Sequence, residues 1–309
     1  MKKIWRYLRE QVRQDFNAGQ YTVVAIFLAL SMAFNYTVDF EDSVLDYLEG
    51  FQKFYSYFFF YSIPYFFCVT VSVLFRKNIN VFRSREFWIR SLFILLVLSF
   101  DSSVPFLNAL IQSIFHPMAQ FWGYKFTVNM ISMITVLVPL FIFYFVYERN
   151  AGHLYGLNAH RFDTKPYFAM LLIMVPILIA ASFHGSFLQQ YPMYKSSQAH
   201  VHFGIPEWVT VLGYEIAYGQ DFITVELIFR GFMVIGMMSV LGRSAILPMA
   251  AVYCFLHFGK PAGEAMSSVL GGYVLGVIAY ETRSIWGGII VHLGIAWTME
   301  VISFLHKSL

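Results

Sequence analysis

Five ionisable residues stand inside apolar stretches in the last third of the sequence: Glu226, Arg230, His257, His292 and Glu300. A charge within a membrane segment is costly and is a functional hypothesis by default. Glu226 and Arg230 are four residues apart, so one helix face carries both and they can pair. Glu226, His257 and His292 converging in an apolar setting can do three things. They can activate a water by general base catalysis, bind a metal such as Zn²⁺, or relay protons. Taken singly, each has a plainer reading: an ion pair that locks helix packing, or a hydrogen-bonded packing histidine. In the first half only Asp101 lies well inside an apolar run. It stands beside Ser102, Ser103 and Pro105, where it reads as a cap or turn residue at a helix break.

These residues need helices to bring them together. Apolar runs at about 21–38, 54–75, 91 onward, 128–147 and 167–183 precede a shorter helix near 208–218. Four more helices follow, at 222–241, 245–258, 262–280 and 285–304. From the turn at Gly242–Arg243, Glu226 lies back by about 24 Å and His257 forward by about 21 Å at 1.5 Å per residue. The two are therefore level across a helical hairpin. His292 is about 14 Å from Arg283, roughly 8 Å shallower unless helices tilt. Gly272 and Gly276 form a small-residue face that permits close helix contact.

Composition fixes the setting. Hydrophobic residues make up 58% of the 309, charged residues 13%, and mean hydropathy is +0.60. Soluble domains carry about a quarter charged residues, so this chain lacks the polar surface of a soluble particle. Several runs reach the roughly 20 residues needed to cross a bilayer. The net charge of +3 is not concentrated in any basic domain, which argues against nucleic acid. Lys and Arg cluster at the N-terminus, at 76–90, at 149–165, at Arg243 and at Arg283, and by the positive-inside rule these ends are cytoplasmic. Met1–Gln20 is charged and amphipathic rather than a signal peptide. Cys68 and Cys254 lie in apolar runs and read as buried small hydrophobes. HExxH, GxSxG and a phosphate loop are all absent.

Glu226-Leu-Ile-Phe-Arg230-Gly231, Leu256-His257-Phe258, and Gly287-Gly288-Ile-Ile-Val-His292 occur in that order, with the short link Arg283-Ser-Ile-Trp-Gly-Gly before the last. This pattern resembles the CPBP family, the CAAX protease and bacteriocin-processing intramembrane endopeptidases, over about residues 150–305. Its members carry Glu-Glu-x-x-x-Arg, Phe-x-x-x-His and His-x-x-x-Asn. The resemblance implies a water activated by the first Glu and first His, with the second His and the Asn stabilising the oxyanion. This chain departs from it in three places: Val225 stands at the first Glu, Tyr253 at the Phe, and Ala296 at the Asn. Position 225 points about 100° from position 226. Asp221, five residues before Glu226, is on a different face from it and is a poor substitute.

The resulting expectation is an all-α polytopic transmembrane bundle of about eight spans. Residues 1–150 supply helices without an assigned role, and residues 151–309 supply a CPBP-like core. The resemblance implies an intramembrane endopeptidase acting on a membrane protein or peptide, with Glu226, His257 and His292 catalytic and Arg230 and Tyr253 supporting. A catalytically impaired member that binds or regulates a membrane partner is the alternative. No cofactor or metal is expected, with zinc as the alternative. The expected location is the plasma membrane of a bacterium, multi-pass, with the N-terminus cytoplasmic.

Overall fold

A computed structural model describes residues 1–149, 152–158 and 163–308. Arg161, in the third basic cluster, lies outside the described residues. Among them there is helix and no strand. The first helix, α1 (Lys2–Asp15), precedes the apolar α2 (Ala18–Val38), whose start is capped by the Asn17 side chain accepting from the Gln20 amide. Next come α3 (Gly50–Arg76) and α4 (Arg85–Ser103), the latter capped by Ser84, then a short α5 (Leu107–Ile114). A long segment, Pro117–Glu148, contains α6 (Gln120–Thr135). The second half holds α7 (Lys165–Ala181) and α8 (Glu207–Glu226). A π-helix (Leu227–Gly236) continues α8, and α9 (Ile246–Phe255), α10 (Ala262–Thr282) and α11 (Trp286–Ser308) follow.

Among the described residues, six helical segments are long and apolar enough to cross a membrane, or seven if the bent pair α4–α5 is one span. The chain is thus an all-α polytopic bundle, though the count falls below the eight or so expected. The shortfall has a physical origin. α7 has 17 residues, at the lower end of the length a crossing needs. The segment from α8 into the π-helix carries Glu207, Glu215, Asp221, Glu226 and Arg230, which lower its hydropathy.

The basic clusters gather at one end of the bundle. Asp15 of α1 pairs with Arg76 at 2.6 Å, and Gln11 accepts from Arg243 at 3.0 Å. Lys3 and Ile4 line a small cleft with Asp163, Thr282 and Ser284. Arg90 pairs with Glu148 and donates to the Gly236 carbonyl, where the π-helix ends.

The largest hydrophobic cluster runs from Val24 and Leu28 through Tyr65, Ile94 and Phe232 to Ile289, so the two halves of the chain share one core. Gly272 and Gly276 act as the small-residue face suggested: a Cβ on Gly272 would fall 2.9 Å from the Tyr253 ring, and one on Gly276 2.5 Å from Met249. Asp101 is a correction. It is neither a cap nor a turn residue, because it lies inside α4 and accepts from Thr135 of α6. A buried carboxyl needs a donor, and a neighbouring helix supplies one.

Candidate functional site

The polar residues fall into two adjoining layers. The first is closed. Glu226 ends α8 and Arg230 begins the next turn in the π-helix, and Glu226 Oε1 lies 2.9 Å from Arg230 Nη1. Both side chains are almost entirely out of contact with the surroundings (0% and 1% exposed). Helical spacing foretold that pair. His292, expected to converge with Glu226, does so directly: its Nδ1 stands 3.3 Å from the same Oε1. The other carboxylate oxygen is wedged against α11, where a Cβ built on Gly288 would overlap Glu226 Oε2. Gly288 is therefore glycine for room. The guanidinium also lies over the Tyr253 ring, 4.4 Å from its centroid, a cation–π contact that shares the buried charge.

The second layer is open. A cavity of about 810 Å³ is walled by α7, α8, α10, α11 and the turn after α9. His257, His292, Arg230 and Tyr253 line it, and so do both positions that depart from the CPBP pattern, Val225 and Ala296. Glu226 is not among its lining residues. The sequence expectation of Glu226, His257 and His292 around one cavity thus holds for the two histidines, while the carboxylate is turned behind the wall. The π-helical register follows directly after Glu226, and such segments recur at functional sites.

Hydrogen bonding fixes how each imidazole can act. His257 Nδ1 is 2.8 Å from the carbonyl of Tyr253, one turn earlier. A carbonyl only accepts, so Nδ1 carries the proton and the neutral ring keeps its lone pair on Nε2. His292 is held at both nitrogens, Nδ1 by Glu226 and Nε2 by the Tyr253 hydroxyl at 3.0 Å. The change from Phe to Tyr at position 253, mild in sequence, supplies the hydroxyl that engages His292.

The N-terminal half holds the turn that carries His257. Asn35 of α2 donates to the Phe258 carbonyl at 3.1 Å and accepts from the Glu41 amide at 3.0 Å. Tyr36 donates to the Lys260 carbonyl at 2.8 Å. Phe60 of α3 packs on Phe255 and Phe258, with ring centroids 5.1 and 5.9 Å apart. No motif marks these residues in the sequence, since each acts on backbone or by packing across more than 190 residues.

Asp221 lines the cavity without a role assigned from sequence. It is off the face of Glu226, as expected, but it lies four residues before Val225 and so lines the cavity with it. Ser132 of α6 donates to Asp221 Oδ1 at 2.6 Å, and Thr224 does so at 3.1 Å. Glu300, on α11, accepts from the Met193 amide at 2.7 Å and fixes the loop before α8 instead of joining the histidines.

A metal would need several ligand atoms in one place. Among the described residues, Glu41, Asp42 and Asp46 form the one set of three or more His, Cys, Asp or Glu with ligand atoms within 4.8 Å of one another. Glu226, His257 and His292 do not form such a set, and Arg230 already occupies the carboxylate. The zinc alternative therefore finds no preformed cage at the histidines.

A bundle of helices long and apolar enough to cross a membrane, with two histidines lining one cavity among them, defines an integral membrane protein. Residues 207–298 match the family model described as Type II CAAX prenyl endopeptidase Rce1-like, consistent with the CPBP resemblance. That stretch contains Glu226, Arg230, His257 and His292 and both departures. No curated protein and no solved structure matches the chain.

Proposed function

We propose that the chain is an intramembrane endopeptidase of the CAAX-protease type that works slowly, with His257 as its base. The observation that carries this reading is His257 on the cavity wall, with Nδ1 fixed by the Tyr253 carbonyl and Nε2 free to take a proton. A peptide segment lying in the cavity presents its scissile carbonyl to a water held at Nε2. The imidazole takes the proton as the water attacks and returns it to the leaving amine. The Tyr253–His292 pair stands beside it as the donor set for the developing oxyanion. Glu226 serves as the anchor that orients His292 and neutralises Arg230, not as the base.

Val225 explains why the rate is low. A carboxylate there would face the cavity and share the water with His257, and a positioned general base contributes about 10²–10⁴ in rate. Val225 and Ala296 on the cavity wall also favour a second reading, a binding protein that holds a membrane peptide without cutting it.

Cleavage of a membrane-anchored reporter by purified protein in nanodiscs separates the two readings. Under the first, the unmodified chain cleaves slowly, His257→Ala abolishes cleavage, and Val225→Glu raises it by about 10²-fold or more. Cleavage untouched by His257→Ala would place the chemistry elsewhere and sink the assignment. No cleavage by the unmodified chain, with retained binding of the reporter, establishes the second reading.

A further inference from the structure

The N-terminal helix is not used by any of this chemistry, yet its surface is sorted into sectors. At 100° per residue, Ile4, Leu8, Gln11 and Asp15 fall within about 60° of one another. Ile4, Gln11 and Asp15 are buried against the bundle, and Leu8 packs on two of its clusters. Beside that sector lie Trp5, Val12 and Phe16, within about 40°. These are exposed by 71%, 53% and 51% although apolar. Next comes a basic stripe, Lys2, Arg6, Arg9 and Arg13, within about 60°. All four are exposed, and none has an ion-pair partner among the described residues.

Docking fixes the helix in this rotation. Asp15 is held by Arg76 at 2.6 Å, and Gln11 and Gln14 accept from Arg243 at 3.0 and 2.7 Å. The exposed apolar stripe therefore cannot roll inward to hide. It belongs to a helix at the end of a membrane-crossing bundle, where the bilayer offers hydrocarbon and, just above it, phosphate. A stripe of Trp, Val and Phe flanked by four unpaired cations matches that order of layers.

We propose that α1 is an interfacial strap that binds anionic lipid headgroups through Lys2, Arg6, Arg9 and Arg13 while Trp5, Val12 and Phe16 enter the acyl boundary. The consequence reaches the cavity. Ile4 packs in one cluster with Tyr167 of α7 and Leu275 of α10. Leu275 lines the cavity, and α7 supplies another of its walls. Headgroup binding thus steadies the ends of two cavity walls from outside the site.

The test uses the whole protein in nanodiscs of phosphatidylcholine alone and of phosphatidylcholine mixed with phosphatidylglycerol. Hydrogen exchange at the amides of residues 5–13 is the readout. Exchange is expected to be slower in the anionic discs. High salt should erase the difference, because exposed charges are screened beyond about 8–10 Å. Each arginine changed to Gln at positions 6, 9 and 13 should reduce the anionic-lipid advantage by about fivefold. Trp5→Ser should raise exchange in both disc types. Equal exchange in the two lipid compositions overturns the proposal, as does an anionic-lipid effect that survives the triple Gln variant. Protection that depends on two copies per disc, and not on lipid charge, assigns the face to a second chain and overturns it as well.

Discussion

Val225 and Glu226 are neighbours in sequence and occupy opposite regions of the molecule. Val225 lines the cavity, while Glu226 is sealed behind the wall with Arg230, His292 and Gly288. One step along a helix turns a side chain by about 100°, enough to move a carboxylate from a cavity wall to a structural core. The identity of the residue type, Glu, therefore says less than its register. A carboxylate at 226 holds the scaffold, and only one at 225 would face the cavity.

The sharpest way to break this contrast is to neutralise each position in turn. Glu226→Gln leaves the Arg230 guanidinium buried without its counter-charge and loosens His292. Removing one partner of a buried pair costs about 3–5 kcal/mol. Val225→Gln places an amide at the cavity wall, where that penalty does not arise. Thermal unfolding in detergent should show a far larger loss for Glu226→Gln. Replacing both members, as Glu226→Gln with Arg230→Met, should recover most of it, because the orphaned charge is then gone. Equal losses at 225 and 226 would mean that the two positions do not differ in environment as described.

A second test concerns the support of the His257 turn by the N-terminal half. Asn35 bridges α2 to the Phe258 carbonyl and the Glu41 amide. Asn35→Ala leaves both backbone groups without that partner, at a cost of about 1–3 kcal/mol. The histidine stays in place chemically but loses its fixed backbone. Cleavage should therefore fall along with stability, and Asn35→Asp, which keeps the acceptor and loses the donor, should fall between the two. A variant with normal stability and normal cleavage would separate α2 from the site.

Much of this was legible in the sequence, for identifiable reasons. Long continuous apolar runs report membrane helices because a helix satisfies its own backbone in hydrocarbon, whereas the strands of a closed barrel are shorter and alternate apolar with polar residues. The Glu226–Arg230 pair followed from their spacing of four residues. The gathering of basic clusters at one end followed from the regular alternation of charge. What stayed hidden depends on contacts between distant segments. Asn35 and Tyr36 bond to backbone carbonyls, which carry no residue signature. Asp221 is off the face of Glu226, but the cavity face is defined by Val225, four residues after it. The direct contact of Glu226 with His292 is not readable from sequence either, since a helical wheel does not show how close α11 comes; Gly288 is visible, but not its reason.

The smallest expected effect lies at the outer edge of the same turn, and pH reveals it. Glu41 follows α2, outside the membrane-crossing helices, and accepts from the Tyr57 hydroxyl at 2.8 Å. Its carboxylate also crowds Gly259 in the turn beyond His257. Burial pushes the Glu41 carboxyl up from its ordinary 4.5 to about 7; the Tyr57 bond opposes the shift, and Asp46 and Asp42 add to it. A group with a raised folded pKa binds its proton more tightly folded than unfolded. Its contribution is fully present below the unfolded value of 4.5 and is lost as pH rises through about 7. Stability should thus decline between about pH 5 and pH 8, and Glu41→Gln should flatten that portion of the profile. Thermal unfolding across this range in nanodiscs measures both. A slope of the same size with and without Glu41 would show that some other group governs the turn.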